Sequence, residues 1–352
     1  VEHIIDMARQ AGASDVHLVC GLPVKFRLAG CLENAGVDGD APLSHDDCEQ
    51  LARRLAGDGF DRIQRIGELD RAETIGGVRV RINLFRQQGH ASAALRLLSD
   101  RIPALETLGL PPAVMDFPRI QRGIVVVTGE TGSGKSTTLA ALIDSINHTR
   151  AENIITMEDP IEYVHKHGTC IVTQREVPTD VATYSEALRS AMRESPDVIL
   201  LGEMRDQDTI GTAVTAAEMA QLLFSTLHTT GAAGTVDRII DAFPASQQRQ
   251  IRIQLSMVLQ AIVSQQLVPT VDGGTAPAFE IMITNTAIRN LIREEKTHQL
   301  DSAIASGGAE GMRTMDQSLF DLVKSGRVAK EMALQYSIHQ EALEKRFETE
   351  GL

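Results

Sequence analysis

Tryptophan is absent from this 352-residue chain, and aromatic residues make up only 3% of it. A protein that grips single-stranded nucleic acid by stacking bases on aromatics set among basic residues lacks its main tool here. Positive charge is also short: 34 Lys and Arg against 47 Asp and Glu give a formal net charge of −13, which argues against a broad non-specific nucleic-acid surface. The four cysteines, Cys20, Cys31, Cys48 and Cys170, form no C-x-x-C pair, so neither a disulfide framework nor a tetrahedral zinc site is expected. No run approaches 18 apolar residues, and the start, Val1-Glu-His-Ile-Ile-Asp, has no signal-peptide layout. The expected compartment is therefore the cytoplasm. An apolar share of 43% is that of a globular protein, and the length suits two domains with cores of their own.

What the chain does have is a phosphate loop. Gly129-Glu-Thr-Gly-Ser-Gly-Lys-Ser136 is a full G-x-x-x-x-G-K-S/T pattern, with the apolar run Ile124 to Thr128 before it and a helical pattern from Ser136 to His148 after it. Glycines let successive backbone N–H groups turn inward around an anion, and the following helix presents its positive end to the same point. Gly129, Glu130, Thr131, Gly132, Ser133, Gly134, Lys135, Ser136 and Thr137 are the expected binding residues for ATP. Lys135 reaches the β- and γ-phosphates, and the Ser136 hydroxyl is a ligand for Mg²⁺.

Around this loop the chain reads as α/β. Residues 1–99 form a small α+β domain: an amphipathic start, strands at Val16–Val19 and Val24–Leu28, a helix capped by Ser44 and running to Ala56, and a three-strand set at 68–75, 77–85 and 93–98. A proline-rich stretch over 100–115 reads as a linker. Residues 116–284 then alternate strands (124–128, 153–158, 170–173, 198–202, 222–226) with helices (184–194, 206–220, 231–241, 246–266). Uninterrupted apolar strands separated by helices imply a mostly parallel sheet covered on both faces. Residues 285–352 are expected to be a C-terminal helical region.

Further polar groups gather at strand ends. Val198-Ile-Leu-Leu-Gly202 is followed by Glu203, the position at which phosphate-loop enzymes hold Mg²⁺ and orient the attacking water. The usual form ends such a strand on Asp; here Gly202 stands first and Glu203 second. Glu158-Asp-Pro-Ile-Glu162 sets three carboxylates within five residues, a cluster that needs solvent or a cation to neutralise it. Alone, it reads better as a solvated acidic turn around Pro160. His228 ends the strand that begins at Leu222, where it could sense the γ-phosphate; by itself a lone histidine is more often structural.

Four blocks in order, the phosphate loop, Glu158–Glu162, Pro196–Asp206 and Thr226–Thr229 leading to Asp237–Asp241, together resemble the secretion ATPase superfamily of type II/IV secretion and type IV pilus motors. Ala287-Ile-Arg-Asn-Leu-Ile-Arg-Glu294 and Met315–Leu319 resemble its pilus-retraction branch, the PilT family. The resemblance implies a PAS-like N-terminal domain, a RecA-like ATPase domain and a homohexameric ring acting on an inner-membrane platform protein, peripheral to the cytoplasmic membrane and without nucleic acid. It assigns Glu162 to water positioning, Glu203 to the carboxylate beside the metal and His228 to the histidine box. Arginines from a neighbouring subunit complete such sites, and Arg81, Arg96, Arg189, Arg193, Arg205 and Arg238 are the candidates. The family's upstream histidine is replaced here by Gln221, which cannot carry a proton charge, and this puts the hydrolysis rate in question. The function implied is ATP hydrolysis driving pilus retraction; a pilus-assembly ATPase, a nucleotide-gated regulator and a nucleic-acid translocase on the same core are the alternatives.

Overall fold

The computed structural model describes residues 1–28, 30–98 and 101–352. The expected end of the first domain at 99 and the start of the linker at 100 lie outside the described residues. The chain divides into two compact units, Val1–Ile102 with Asp159–Val164, and Pro103–Glu158 with His165–Leu352.

In the first unit, α1 (Glu2–Gln10) buries Ile4, Ile5 and Ala8 along one face. Strands β1 (Asp15–Leu18), β2 (Lys25–Leu28) and β3 (Cys31–Asn34) follow; the last has no counterpart among the strands expected from the sequence. Helix α2 (His45–Ala56) starts with a capping box in which Ser44 and Asp47 satisfy each other's backbone N–H groups. After α3 (Phe60–Ile66), strands β4 (Glu68–Ile75), β5 (Val78–Gln87) and β6 (His90–Leu97) complete an antiparallel sheet of order β3-β2-β1-β6-β5-β4. Val80, Ile82 and Leu84 alternate on β5 and meet Val16, Leu55, Ile63 and Leu95 in the core.

The second unit opens with residues expected as linker. Leu105, Leu110 and Val114 are nevertheless buried, the last on α4 (Pro112–Met115). Then come β7 (Gly123–Thr128), α5 (Lys135–Thr149), β8 (Asn153–Glu158), β9 (Ile171–Glu176), α6 (Tyr184–Ala191), β10 (Val198–Leu201), α7 (Gln207–Glu218), β11 (Leu222–Leu227), α8 (Ala232–Asp241), α9 (Ala245–Val258), β12 (Leu259–Pro269) and β13 (Thr275–Ile283). The sheet order is β13-β12-β7-β11-β10-β8-β9, parallel throughout except for the β12–β13 hairpin. Every residue of β7, β10 and β11 is buried, as a sheet with both faces covered requires.

One expectation is overturned here. The helix expected over 246–266 ends at Val258, and the backbone turns extended at Leu259 (φ −64°, ψ 128°) to enter β12. The slot beside β7 accepts Leu259 and, past a register shift at Gln260, Ala261 to Val263 as a parallel strand, so tertiary pairing overrides a spacing that also suits a helix. The partner β13 is antiparallel to it and was not anticipated.

Five helices follow: α10 (Thr286–Arg293), α11 (Leu300–Ser306), α12 (Met315–Lys324), α13 (Lys330–Tyr336) and α14 (Gln340–Glu350). Val268, Ala276 and Ala278 of the hairpin join Met315, Leu319, Phe320 and Phe347 in a small core that anchors α12 and α14 to the sheet.

Candidate active site

Because β7, β11 and β10 run parallel side by side, Thr128, Leu227 and Leu201 all end at one edge of the sheet. The loops leaving that edge carry the phosphate loop, His228 and Glu203.

The phosphate loop is shaped by glycine and by one distant residue. Gly129 (φ 139°) has no room for a side chain: a Cβ there would stand 2.2 Å from the backbone oxygen of Gln265. At Gly134 (φ 91°) a Cβ would stand 2.7 Å from the Gln265 side-chain nitrogen. Gln265 itself is buried and accepts a hydrogen bond from Thr138 Oγ1 at 2.8 Å, which fixes β12 to the first turn of α5. Lys135 opens α5; its ammonium donates to the carbonyls of Gly129 (2.7 Å) and Glu130 (2.8 Å) and is held in the mouth of the loop. The Ser133 hydroxyl is buried with no hydrogen-bond partner among the described residues. A cradle with an orphaned buried hydroxyl, an ammonium and a helix N-terminus fits a polyphosphate. Ser136, on the exposed side of α5's first turn, offers its hydroxyl to a divalent cation.

Glu203 lies two residues past β10. Its Oε2 accepts from Arg205 Nε at 2.7 Å, and its Oε1 stands 3.7 Å from His228 Nε2. Glu203 is 17% exposed and His228 47%, so the carboxylate is sheltered while the imidazole reaches solvent. The glycine in the place usual for Asp has a steric cause. A Cβ on Gly202 would stand 2.8 Å from the Tyr184 hydroxyl and 3.1 Å from the Met157 carbonyl. Its N–H donates to Met157 and its carbonyl accepts from Thr226 Oγ1 (2.6 Å), which ties the Glu203 loop to both neighbouring strands.

The acidic run divides. Glu158 Oε1 accepts from Thr156 Oγ1 (2.6 Å) and Gln174 Nε2 (3.1 Å) in the second unit. Glu162 belongs to the segment that groups with the first unit, where the carbonyl of Ile161 accepts from Arg79 Nε at 3.1 Å. Arg81 pairs with Asp70 at 2.7 Å. That bond, with Glu162 and Asp159 beyond it, pushes its guanidinium above the ordinary arginine value. Cations therefore do serve the acidic turn, from β5. All the remaining candidate arginines are exposed; Arg96 pairs with Asp15 at 3.0 Å and Arg205 with Glu203, whereas Arg189, Arg193 and Arg238 make no ion pair among the described residues.

Gln221 sits at the far end of the strand from His228. Its carbonyl accepts from Gly123 N at 3.0 Å, at the start of β7. Six strand residues at about 3.3 Å each separate it from the catalytic edge by roughly 20 Å. Its Oε1 is buried with no hydrogen-bond partner among the described residues.

Two features had no counterpart in the sequence reading. Glu280 on β13 is 3% exposed, and its carboxylate accepts from Ala232 N at 2.7 Å, at the first residue of α8 beyond His228. Burial pushes its pKa up. The second is a cavity of about 470 Å³ beside the phosphate loop, walled by Gly129–Ser133, Thr230, Ser264, Gln266 and Leu267 and closed by Gln335 and Tyr336 of α13. These residues come from segments far apart in sequence, and no local motif marks them.

A phosphate loop, a carboxylate on the second strand over and a histidine between them define a P-loop nucleoside triphosphatase. Comparison with known proteins agrees: the family model of the type II/IV secretion system protein matches residues 1–345. The chain belongs to this family, and it is an ATPase. The type IV pilus retraction ATPase PilT of Pseudomonas aeruginosa is 44% identical over 335 residues, covering 95% of this chain and 96% of that protein. A twitching motility protein of Neisseria gonorrhoeae is 48% identical over 266 residues, 75% of this chain and 71% of that one. A crystal structure of the pilus retraction motor PilT with bound ADP matches at a TM-score of 0.91 and 44% identity, over 98% of this chain and 99% of that one. The Legionella pneumophila ATPase DotB matches at 0.83 and 26% identity, over 94% and 93%.

Proposed function

We propose that this chain is a retraction motor of type IV pili, in which ATP hydrolysis drives withdrawal of the filament. The observation that carries the enzymatic part is the sheltered Glu203 carboxylate, two strands from the phosphate loop and 3.7 Å from His228, which leaves the strand between them. Full-length similarity to the retraction ATPase supports the assignment to pili.

In this reading Lys135 and the N–H groups of Gly129–Ser136 hold the β- and γ-phosphates. Ser136 and Glu203 would hold Mg²⁺, which when bound would neutralise charge on the phosphoryl oxygens. Glu203 aligns the attacking water and takes its proton, with Arg205 fixing the carboxylate's orientation. His228 moves with the γ-phosphate and changes its contact with Glu203 when that group leaves. Glu162 contributes to water positioning. The unit of action is a homohexamer, with arginines supplied across subunits; of the candidates Arg81, Arg96, Arg189, Arg193, Arg205 and Arg238, it is Arg189, Arg193 and Arg238 that are exposed and make no ion pair among the described residues. Among the described residues no helix is long and apolar enough to cross a membrane. In this reading, which rests on the similarity to the pilus retraction ATPase, the ring works from the cytoplasmic side against an inner-membrane platform protein. The proposed modules are 1–99, a connection over 100–115 that buries Leu105, Leu110 and Val114, 116–284 and 285–352.

Deleting the gene in its host and counting surface pili tests the direction of force. Excess pili with loss of twitching is expected; loss of pili would make this an assembly ATPase. Mass measurement of the purified protein with ATP and Mg²⁺ tests the ring, for which six subunits are expected.

A further inference from the structure

The sheet order gives the bound nucleotide a direction. Glu203 and His228 leave β10 and β11, on one side of β7, and β12 lies on the other side. A terminal phosphate facing Glu203 leaves the rest of the nucleotide to extend toward β12. The cavity of about 470 Å³ lies there, and its outer wall comes from the C-terminal helix α13. Tyr336 is half-buried against the small core of the hairpin and α12, and its ring also walls the cavity. Gln335 is exposed and Gln266 half-buried, and both side chains reach the same space. Within this wall Thr230, Ser264 and the loop itself suffice for a phosphate or ribose; an aromatic ring flanked by two primary amides is chemistry for a purine base.

We infer that Tyr336, Gln335 and Gln266 form the base subsite of this ATPase, with the Tyr336 ring stacking on adenine and the glutamine amides reading its edge. An amide presents one donor and one acceptor side by side, the complement of adenine's exocyclic N6 amine and N7. Guanine presents two acceptors, O6 and N7, along that edge and leaves one amide group unmatched, so the subsite favours adenine. The inference rests on this cavity being the nucleotide site, and it gives the C-terminal helical region a direct contact with substrate.

The test is calorimetric binding of ADP, GDP and inorganic tripolyphosphate to the full chain with Mg²⁺, in wild type, Tyr336→Phe, Tyr336→Ala and Gln335→Ala. Loss of a stacked base costs about tenfold or more in affinity. Tyr336→Ala is therefore expected to weaken ADP by that factor and leave tripolyphosphate unchanged, while Tyr336→Phe keeps wild-type affinity. Gln335→Ala, at an exposed position that does not threaten folding, is expected to narrow the preference for ADP over GDP by several-fold. Equal weakening of ADP and tripolyphosphate by Tyr336→Ala would mean a purely structural residue and overturn the inference. Unchanged ADP affinity in Tyr336→Ala, or an unchanged base preference in Gln335→Ala, would do the same. Failure of wild type to bind either ADP or tripolyphosphate would instead sink the reading of the cavity as a nucleotide site.

Discussion

His228 Nε2 and Glu203 Oε1 stand 3.7 Å apart, close enough for a charge interaction and too far for a direct hydrogen bond. The two groups thus meet without locking, and a small displacement of either decides whether the bond forms. Glu203→Gln keeps the size of the side chain but removes the proton acceptor, and a fall of about 100-fold or more in ATP turnover is expected. Nucleotide affinity should stay within a few-fold. Steady-state phosphate release and nucleotide binding on the same preparation check both; wild-type turnover in the variant would remove Glu203 from the chemistry. His228→Ala is expected to give a smaller loss, because the carboxylate and its Arg205 partner remain.

Gln221 draws attention in the sequence because it replaces a family histidine, yet it lies roughly 20 Å from His228 along β11. Gln221→His is therefore expected to change turnover in the isolated protein by less than about twofold. An increase of tenfold would require a path from the far edge of the sheet, or a second subunit, that the strand geometry of one chain does not provide.

Gly202→Ala places a methyl group 2.8 Å from the Tyr184 hydroxyl and 3.1 Å from the Met157 carbonyl. Overpacking of this kind costs roughly 1–3 kcal/mol, and here it also shifts the loop that carries Glu203. Lower turnover and a lower melting temperature are expected together. Adding Tyr184→Phe removes the nearer clash and should recover part of both; a double variant no better than the single one would place the strain at Met157 instead.

Glu280 is held in its protonated form to higher pH than an ordinary carboxyl because burial disfavours its charge. The folded state therefore binds this proton more tightly than the unfolded chain does. Its contribution to stability is fully present below the ordinary value of 4.5 and is lost as pH rises through the raised folded value. Glu280→Gln lacks that titration. Chemical denaturation of both proteins from about pH 4 to about pH 8 should show wild type losing ground to the variant as pH rises. A difference that stays constant with pH would show that Glu280 does not titrate in that range.

The cysteines differ in reactivity for the same reason. Burial pushes the Cys48 thiol up to about 11, and burial also raises Cys170, whereas Cys31 is exposed. At about pH 8 an alkylating reagent should modify Cys31 first and leave Cys48 and Cys170 intact in the folded protein. Peptide mapping by mass spectrometry gives the order directly.

Much of this architecture is legible in the sequence where a residue pattern has a single physical solution. The largely apolar runs at 124–128, 198–202 and 222–226 are short and alternate with helices, which favours buried parallel strands, and a glycine loop between one of them and a helix is built to cradle an anion. The run after Ala245 has two solutions. Ile251, Leu255 and Val258 continue a helical stripe, and nothing local announces that Leu259 leaves it. The signal for β13 was present in Asp272-Gly273-Gly274, a tight-turn sequence between two apolar runs, and Gly273 does take a positive φ of 83° there. Because the stripe through Val258 also suits a helix, the first strand of the hairpin is not legible locally, and neither is the place of Gln265, Gln266 and α13 beside the phosphate loop. Gly202 shows the reverse limit: the sequence records the missing Asp, but only packing against Tyr184 explains it.

Gln265 lies 129 residues beyond Ser136, the last residue of the phosphate-loop motif, and yet it is against this residue that the loop is moulded: Gly129 abuts its carbonyl, Gly134 its amide, and Thr138 bonds its side chain. The motif is accordingly not a portable cassette. A truncated chain ending after α9 would keep every letter of the phosphate loop, Glu203 and His228, and still lack the surface that gives the loop its curvature. Substitutions along β12, remote in sequence from every signature residue, belong to the nucleotide site as much as the glycines do.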